Sequence, residues 1–193
     1  MNGLRKATAP LVLALCGQLC GVARAEISVP VQLQAHLVSK ISAFDRNFAA
    51  RSGGSARILV VENSADDESV DVGSQFASAL AGIHKVAGMD AQIDTLLFTS
   101  AGALAERCRA QRTSLVFLST NLEKEMGAIG IALSGVDVLS VGATAEYAAR
   151  GAVVGFDLDE GKPRIVLNLA RAKAQNVSFR AELLKLSHLV TSD

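Results

Sequence analysis

Four short apolar runs recur between residues 57 and 141, each separated from the next by a polar loop and an amphipathic segment. They read RILVVE (57–62), QIDTLLF (92–98), SLVFLS (114–119) and VDVLSV (136–141). Between them, residues 70–86 place Val72, Phe76, Leu80 and Ile83 on one helical face. AGALAERCRAQ (101–111) and NLEKEMGAIGIAL (121–133) supply two further helices, the latter carrying Leu122, Met126 and Ile129. Strands that are apolar on both sides must be covered on both sides, and alternation with helices makes them parallel, with right-handed crossovers. A mostly parallel sheet of four βαβ-type strands, with helices on both faces, is therefore expected.

The chain ends differently. AVVGFDL (152–158) and RIVLNL (164–169) are joined by DEGK (159–162), too short for a parallel crossover. They form an antiparallel hairpin at one edge of the sheet, with Gly161 free to take positive φ. The helix LARAKAQ follows, with Asn176 as its C-terminal cap. Ser178 then caps a second helix whose stripe is Phe179, Leu183, Leu186 and Val190. At the other end, residues 30–50 read as one helix with a stripe of Leu33, Leu37, Ile41, Phe44 and Phe48, stopped by Gly53 and Gly54. The fold class is a three-layer α/β sandwich, flavodoxin-like or periplasmic-binding-protein-like.

Half of the 193 residues are hydrophobic, enough for a core. Arg5 and Lys6, an apolar stretch, and Ala23-Arg24-Ala25 have the form of a secretory signal cleaved after Ala25, and the apolar part is short for a membrane span. Residues 26–193 then form one α/β domain. Losing Arg5, Lys6 and Arg24 leaves 16 basic against 19 acidic side chains, a net charge of −3. That balance offers no footprint for nucleic acid. Cys16 and Cys20 leave with the signal, and each follows a Leu where a lipidated Cys follows a small residue. Cys108 remains alone, so no internal disulfide forms. A soluble, periplasmic protein is expected.

Chemistry is sparse. His36, His84 and His188, each read as helical, show no metal-ligand spacing. The consecutive acids Asp66, Asp67 and Glu68 do not alternate as calcium-loop ligands do. Ser134 lacks a nucleophile elbow, and no phosphate-binding glycine loop is present. Cys108 lies between Arg107 and Arg109, which would lower a thiol's pKa, but packing among Ala103, Leu104 and Ala110 is the plainer reading. No catalytic residue, metal or cofactor is expected, and an enzyme is not. A small ligand would bind beyond the carboxyl ends of the parallel strands, at Asn63, Ser64, Thr99, Ser100, Thr120, Asn121, Gly142 and Thr144. The same residues can equally cap the helices that follow.

The stretch VLSVG, then GAVVGF, then GKPRIVLNLARAKAQNVSFRAELLKL resembles the C-terminal signature of the YfiR family. The matching positions are Leu139, Ser140, Val141, Gly151, Gly155, Phe156, Gly161, Lys162, Asn168, Ala172, Leu183, Leu184 and Leu186. Asn176 stands where the family has Gly, and Arg180 and Ala181 stand where it has paired serines. The resemblance implies a non-catalytic periplasmic regulator. Its partner would be an inner-membrane signalling protein, a diguanylate cyclase or a sensor kinase, held inactive through its periplasmic sensor region. Release would raise cyclic-di-GMP and favour biofilm. A homodimer is a further expectation, and the alternative is a periplasmic small-molecule-binding sensor module.

Overall fold

A computed structural model describes residues 27–191, so the signal predicted over residues 1–25 lies outside it. The elements in order are α1 (Val31–Ser42), α2 (Phe48–Ser52), β1 (Ser55–Glu62), α3 (Asp67–Ile83), β2 (Lys85–Val86), β3 (Met89–Leu97), α4 (Ala101–Gln111) and β4 (Leu115–Leu118). They continue with α5 (Met126–Ala132), β5 (Leu139–Gly142), α6 (Ala145–Arg150), β6 (Val154–Asp159), β7 (Lys162–Asn168), α7 (Leu169–Ala174), α8 (Ala181–Lys185) and β8 (Ser187–Val190). One sheet runs β2-β3-β1-β4-β5-β6-β7-β8. Strands β3, β1, β4, β5 and β6 are parallel, and β6 and β7 form the expected antiparallel hairpin. The sheet is wider than the sequence suggested. The two-residue β2 folds back on β3, and β8 pairs parallel to β7.

Alternation along the strands divides the core. Ile58 and Val60 of β1 belong to one core with Val38 of α1 and Phe76 of α3, whereas Leu59 and Val61 belong to the other with Leu104 of α4, Met126 and Ile129 of α5 and Tyr147 of α6. Phe76 stacks on Phe117 of β4 with ring centroids 3.7 Å apart. That contact fixes α3 over the centre of the sheet.

Several expected boundaries move. Residues 30–50 are not one helix: α1 ends at Ser42, residues 43–47 turn, and α2 begins at Phe48. The buried stripe of α1 is Val31, Gln34, Ala35, Val38 and Ile41, while Leu33 is 37% exposed. Gln34 is inside because its Nε2 donates to the carbonyls of Val29 (2.9 Å) and Ala143 (3.0 Å). Helix α5 starts at Met126, after turns that hold Asn121 at φ 60°. The second C-terminal helix is a single short turn of chain, and its predicted stripe breaks. Leu186 is 75% exposed, and Val190 lies in β8. Of the histidines only His36 is helical: His84 caps α3 in a left-handed conformation and His188 lies in β8.

Ser178 does not cap α8. Its N–H donates to Asp45 Oδ1 (2.9 Å), and its carbonyl accepts from Arg46 N (2.9 Å). This belongs to a clasp between the two ends of the chain. Asp45 Oδ2 is 2.8 Å from Arg51 Nη1, with both side chains almost fully buried. Arg51 Nε reaches Asp137 Oδ1 (2.7 Å), and its Nη2 donates to the carbonyl of Asn176 (3.0 Å). Asn176 takes the left-handed conformation expected of it, φ 56°.

The signature residues have structural duties. A methyl group on Gly151 would overlap the carbonyl oxygen of Met126 and lie 3.3 Å from Gly130 Cα. This is where α6 ends against α5. Gly161 turns the hairpin at φ 76°. Asn168, fully buried, accepts from Arg171 N (3.0 Å) to cap α7 and donates from Nδ2 to the carbonyl of Ala148 (2.8 Å). Phe156 and Leu183 are buried in one core, and Leu184 packs against it partly buried.

Candidate functional site

The chain runs from β1 to β3 on one side, then crosses to β4 on the other, so the order reverses between β1 and β4. In sheets of this kind ligands bind outside the strands' carboxyl ends at such a point. Here that point is stitched by the protein's own side chains. Asn63, just after β1, donates from Nδ2 to the carbonyl of Asn121 (2.9 Å). Asn121 Nδ2 donates to Asp66 Oδ1 (2.7 Å), which also accepts Ser69 N at the start of α3 (2.9 Å). Ser69 Oγ donates to the carbonyl of Thr120 (2.8 Å), and Ser119 Oγ to that of Ser69 (2.6 Å).

Beside the stitch lies an open crevice of about 980 Å³. It brings together four predicted residues, Asn63, Thr99, Ser100 and Asn121. Ser100 Oγ accepts Ala103 N (3.2 Å) and so caps α4. Ser64 is exposed outside the crevice, whereas Thr120 and Thr144 are buried and do not line it. Gly142 is covered by the ring of Tyr147. The sequence reading missed Phe98, Glu123, Glu146 and Arg150, which line the opening. Glu146 and Arg150 form an i,i+4 pair on α6 (2.7 Å), and the run ATAEYAAR carried that spacing. Asp66, Glu123, Glu125 and Glu146 face Lys124 and Arg150, so carboxylates outnumber cations.

Tyr147 joins this wall to the core. Its hydroxyl accepts Leu122 N (2.8 Å) and donates to Glu123 Oε1 (3.2 Å). Burial raises its pKa further above the ordinary tyrosine range, so it stays a neutral donor. Cys108 lies apart, buried with Leu104 and Ala105, while Ala103 and Ala110 are exposed. Burial pushes its thiol up to about 12, outweighing Thr113 and Arg109, which pull the other way. The protonated thiol is a poor nucleophile. A thiol-reactive dye is expected to label native protein very slowly at pH 8, and denatured protein at once. Rapid native labelling would contradict this packing. Among the described residues, no group of three or more His, Cys, Asp or Glu could hold a metal ion, and no helix is long and apolar enough to cross a membrane.

Fold and crevice define a mostly parallel, layered α/β protein with an open cleft at the switch point of its sheet. A conserved domain protein from Vibrio cholerae O1 biovar El Tor superposes with a TM-score of 0.59 at 16% identity, over 84% of this chain and 60% of that one. An ABC domain from Streptococcus pneumoniae, solved in complex with L-Trp, gives 0.57 at 12%, over 83% and 62%. The substrate-binding protein CD0873 of Clostridium difficile, in its ligand-free open form, gives 0.53 at 10%, over 76% and 58%. The chain thus spans about three fifths of each of these structures. The sequence model of the YfiR/HmsC-like family matches residues 31–188, and the chain belongs to that family. No curated protein matches the sequence.

Proposed function

We propose that this chain is a non-catalytic regulatory protein of the periplasm. It binds the periplasmic sensor region of an inner-membrane diguanylate cyclase and holds that enzyme inactive. The observation that carries this reading is the family match over residues 31–188. The residues of the switch point support it, because Asn63, Ser69, Asp66 and Asn121 are engaged with one another. Deleting the gene is expected to raise cellular cyclic-di-GMP, and the tagged protein is expected to retain a membrane cyclase from solubilised envelopes. Unchanged cyclic-di-GMP with no membrane protein retained would overturn the proposal. Residues 1–25 act as a cleaved signal in this reading, so the mature N-terminus is Glu26. The same preparation tests the homodimer by light scattering.

The crevice favours a second reading, a small-molecule sensor of the same compartment. Its volume falls within the range of ligand pockets, and Phe98 and Leu122 give it apolar wall. Asn63, Thr99, Ser100 and Asn121, which line the crevice, are the contacts proposed for it. A thermal-shift panel of amino acids and nucleotides separates the two readings, since a ligand that binds the native state raises its melting temperature.

A further inference from the structure

Glu62 ends the central strand β1 and is only 5% exposed. Its side chain lies against Gly73 of α3, where a β-carbon would overlap the carboxyl group. The backbone carbonyl of Glu62 accepts Phe98 N (2.7 Å), but among the described residues its carboxylate has no hydrogen bond or ion pair. A fold that carries an unpaired carboxylate at a helix–strand seam favours its neutral form, since the charged form loses part of its hydration there.

We infer that Glu62 is a proton-sensitive joint between β1 and α3: neutral, it lets α3 seat closely on the strand, and ionised, it loosens that seam. Geometry places the joint directly before the stitch, because Asn63 N donates to Ser69 Oγ (2.9 Å) one turn before Gly73. Loosening α3 therefore also loosens the Asn63–Asn121 closure of the switch point. Burial raises the Glu62 carboxyl above the usual glutamate range, in agreement with this geometry.

The titratable groups around it supply no counter-charge. Asp67, Glu68 and Asp71 of α3 are exposed acids, and Asp66 is engaged with Ser69 and Asn121. On β3, Asp90 and Asp94 are exposed, β4 has no ionisable side chain, and Arg51 of α2, which also packs on β1, is paired with Asp45 and Asp137. On α1, which packs on α3, His36 and Lys40 are exposed. Because the folded-state value is raised, this stabilisation is complete below the unfolded glutamate pKa and is lost as pH rises through the folded value.

Urea unfolding of the wild type and of Glu62→Gln, between pH 5 and pH 8, tests the inference. Glutamine copies the neutral carboxyl. The variant is expected to unfold at a higher urea concentration than the wild type at pH 8, with the gap shrinking as pH falls. A gap that does not change with pH, or a less stable variant at pH 8, overturns it. Carbon-detected NMR of the Glu62 carboxyl in the wild type is a direct second check. A titration midpoint above the ordinary glutamate range supports the joint, and one at or below that range overturns it. Hydrogen exchange at Ser69 and Val70, corrected for intrinsic rate, is expected to slow on acidification in the wild type and not in the variant. Equal behaviour in both overturns the coupling to the stitch.

Discussion

Replacing Gly151 with alanine is expected to lower stability by about 3 kcal/mol, through overpacking that rotamer changes cannot relieve. The clash is with main chain: the new methyl would overlap the Met126 carbonyl oxygen and lie 3.0 Å from the carbonyl carbon. Neither atom can leave without moving α5 away from α6. For a domain of this size the melting temperature should fall by about 6–12 °C. Gly127→Ala is the control, one residue along α5 from Met126, with nothing within 4 Å of its added carbon. It should be neutral or stabilising by up to about 1 kcal/mol, as for glycine-to-alanine changes within helices. Equal effects from the two changes, read by calorimetry, would mean that α5 and α6 are not packed as described.

A loss of about 3–5 kcal/mol is expected from Asp45→Ala, the usual result of removing one partner from a buried ion pair. The change leaves Nη1 of Arg51, a side chain 2% exposed, without its buried carboxylate, and leaves the N–H groups of Ser178 and Asn47 without their acceptor. Asp137→Ala removes the other carboxylate held by Arg51, but that side chain is 51% exposed. Its cost should stay below about 1 kcal/mol, as for solvated pairs. Replacing Asp45 and Arg51 together with leucine and methionine should recover the part of the loss due to the unpaired buried charge, while Ser178 and Asn47 N–H still lack an acceptor. Chemical denaturation of the four proteins gives the comparison. Similar costs for Asp45→Ala and Asp137→Ala would rule out a buried clasp.

These contacts mark where the sequence was readable. The layered architecture was legible because RILVVE and SLVFLS are apolar on both faces, which few arrangements other than a covered parallel sheet can accommodate. Helix α4 occupies the residues expected of it, since Ser100 caps it locally. The misreadings involve partners distant in sequence. Gln34 was not among the stripe residues expected of the first helix, and it is buried because Ala143, 109 residues away, offers a carbonyl. Ser178 looked like a cap and is instead held by Asp45, 133 residues earlier. The spacing of Phe179, Leu183, Leu186 and Val190 suggested a helix, but β7 offered an open edge and residues 187–190 joined it as a strand. The crevice was half legible. Strand ends located it, whereas Glu123, which lines it, is held by Tyr147, 24 residues along the chain, a contact no local pattern encodes.

The clasp has a consequence for how the chain matures. Asp45 meets Ser178 and Phe179 only when both are present, so a polypeptide emerging N-terminus first, from a ribosome or through a pore, keeps its leading segment unlatched until the tail arrives. Contacts of such long sequence separation form late and slowly. The clasp thus closes only once the C-terminal residues are present.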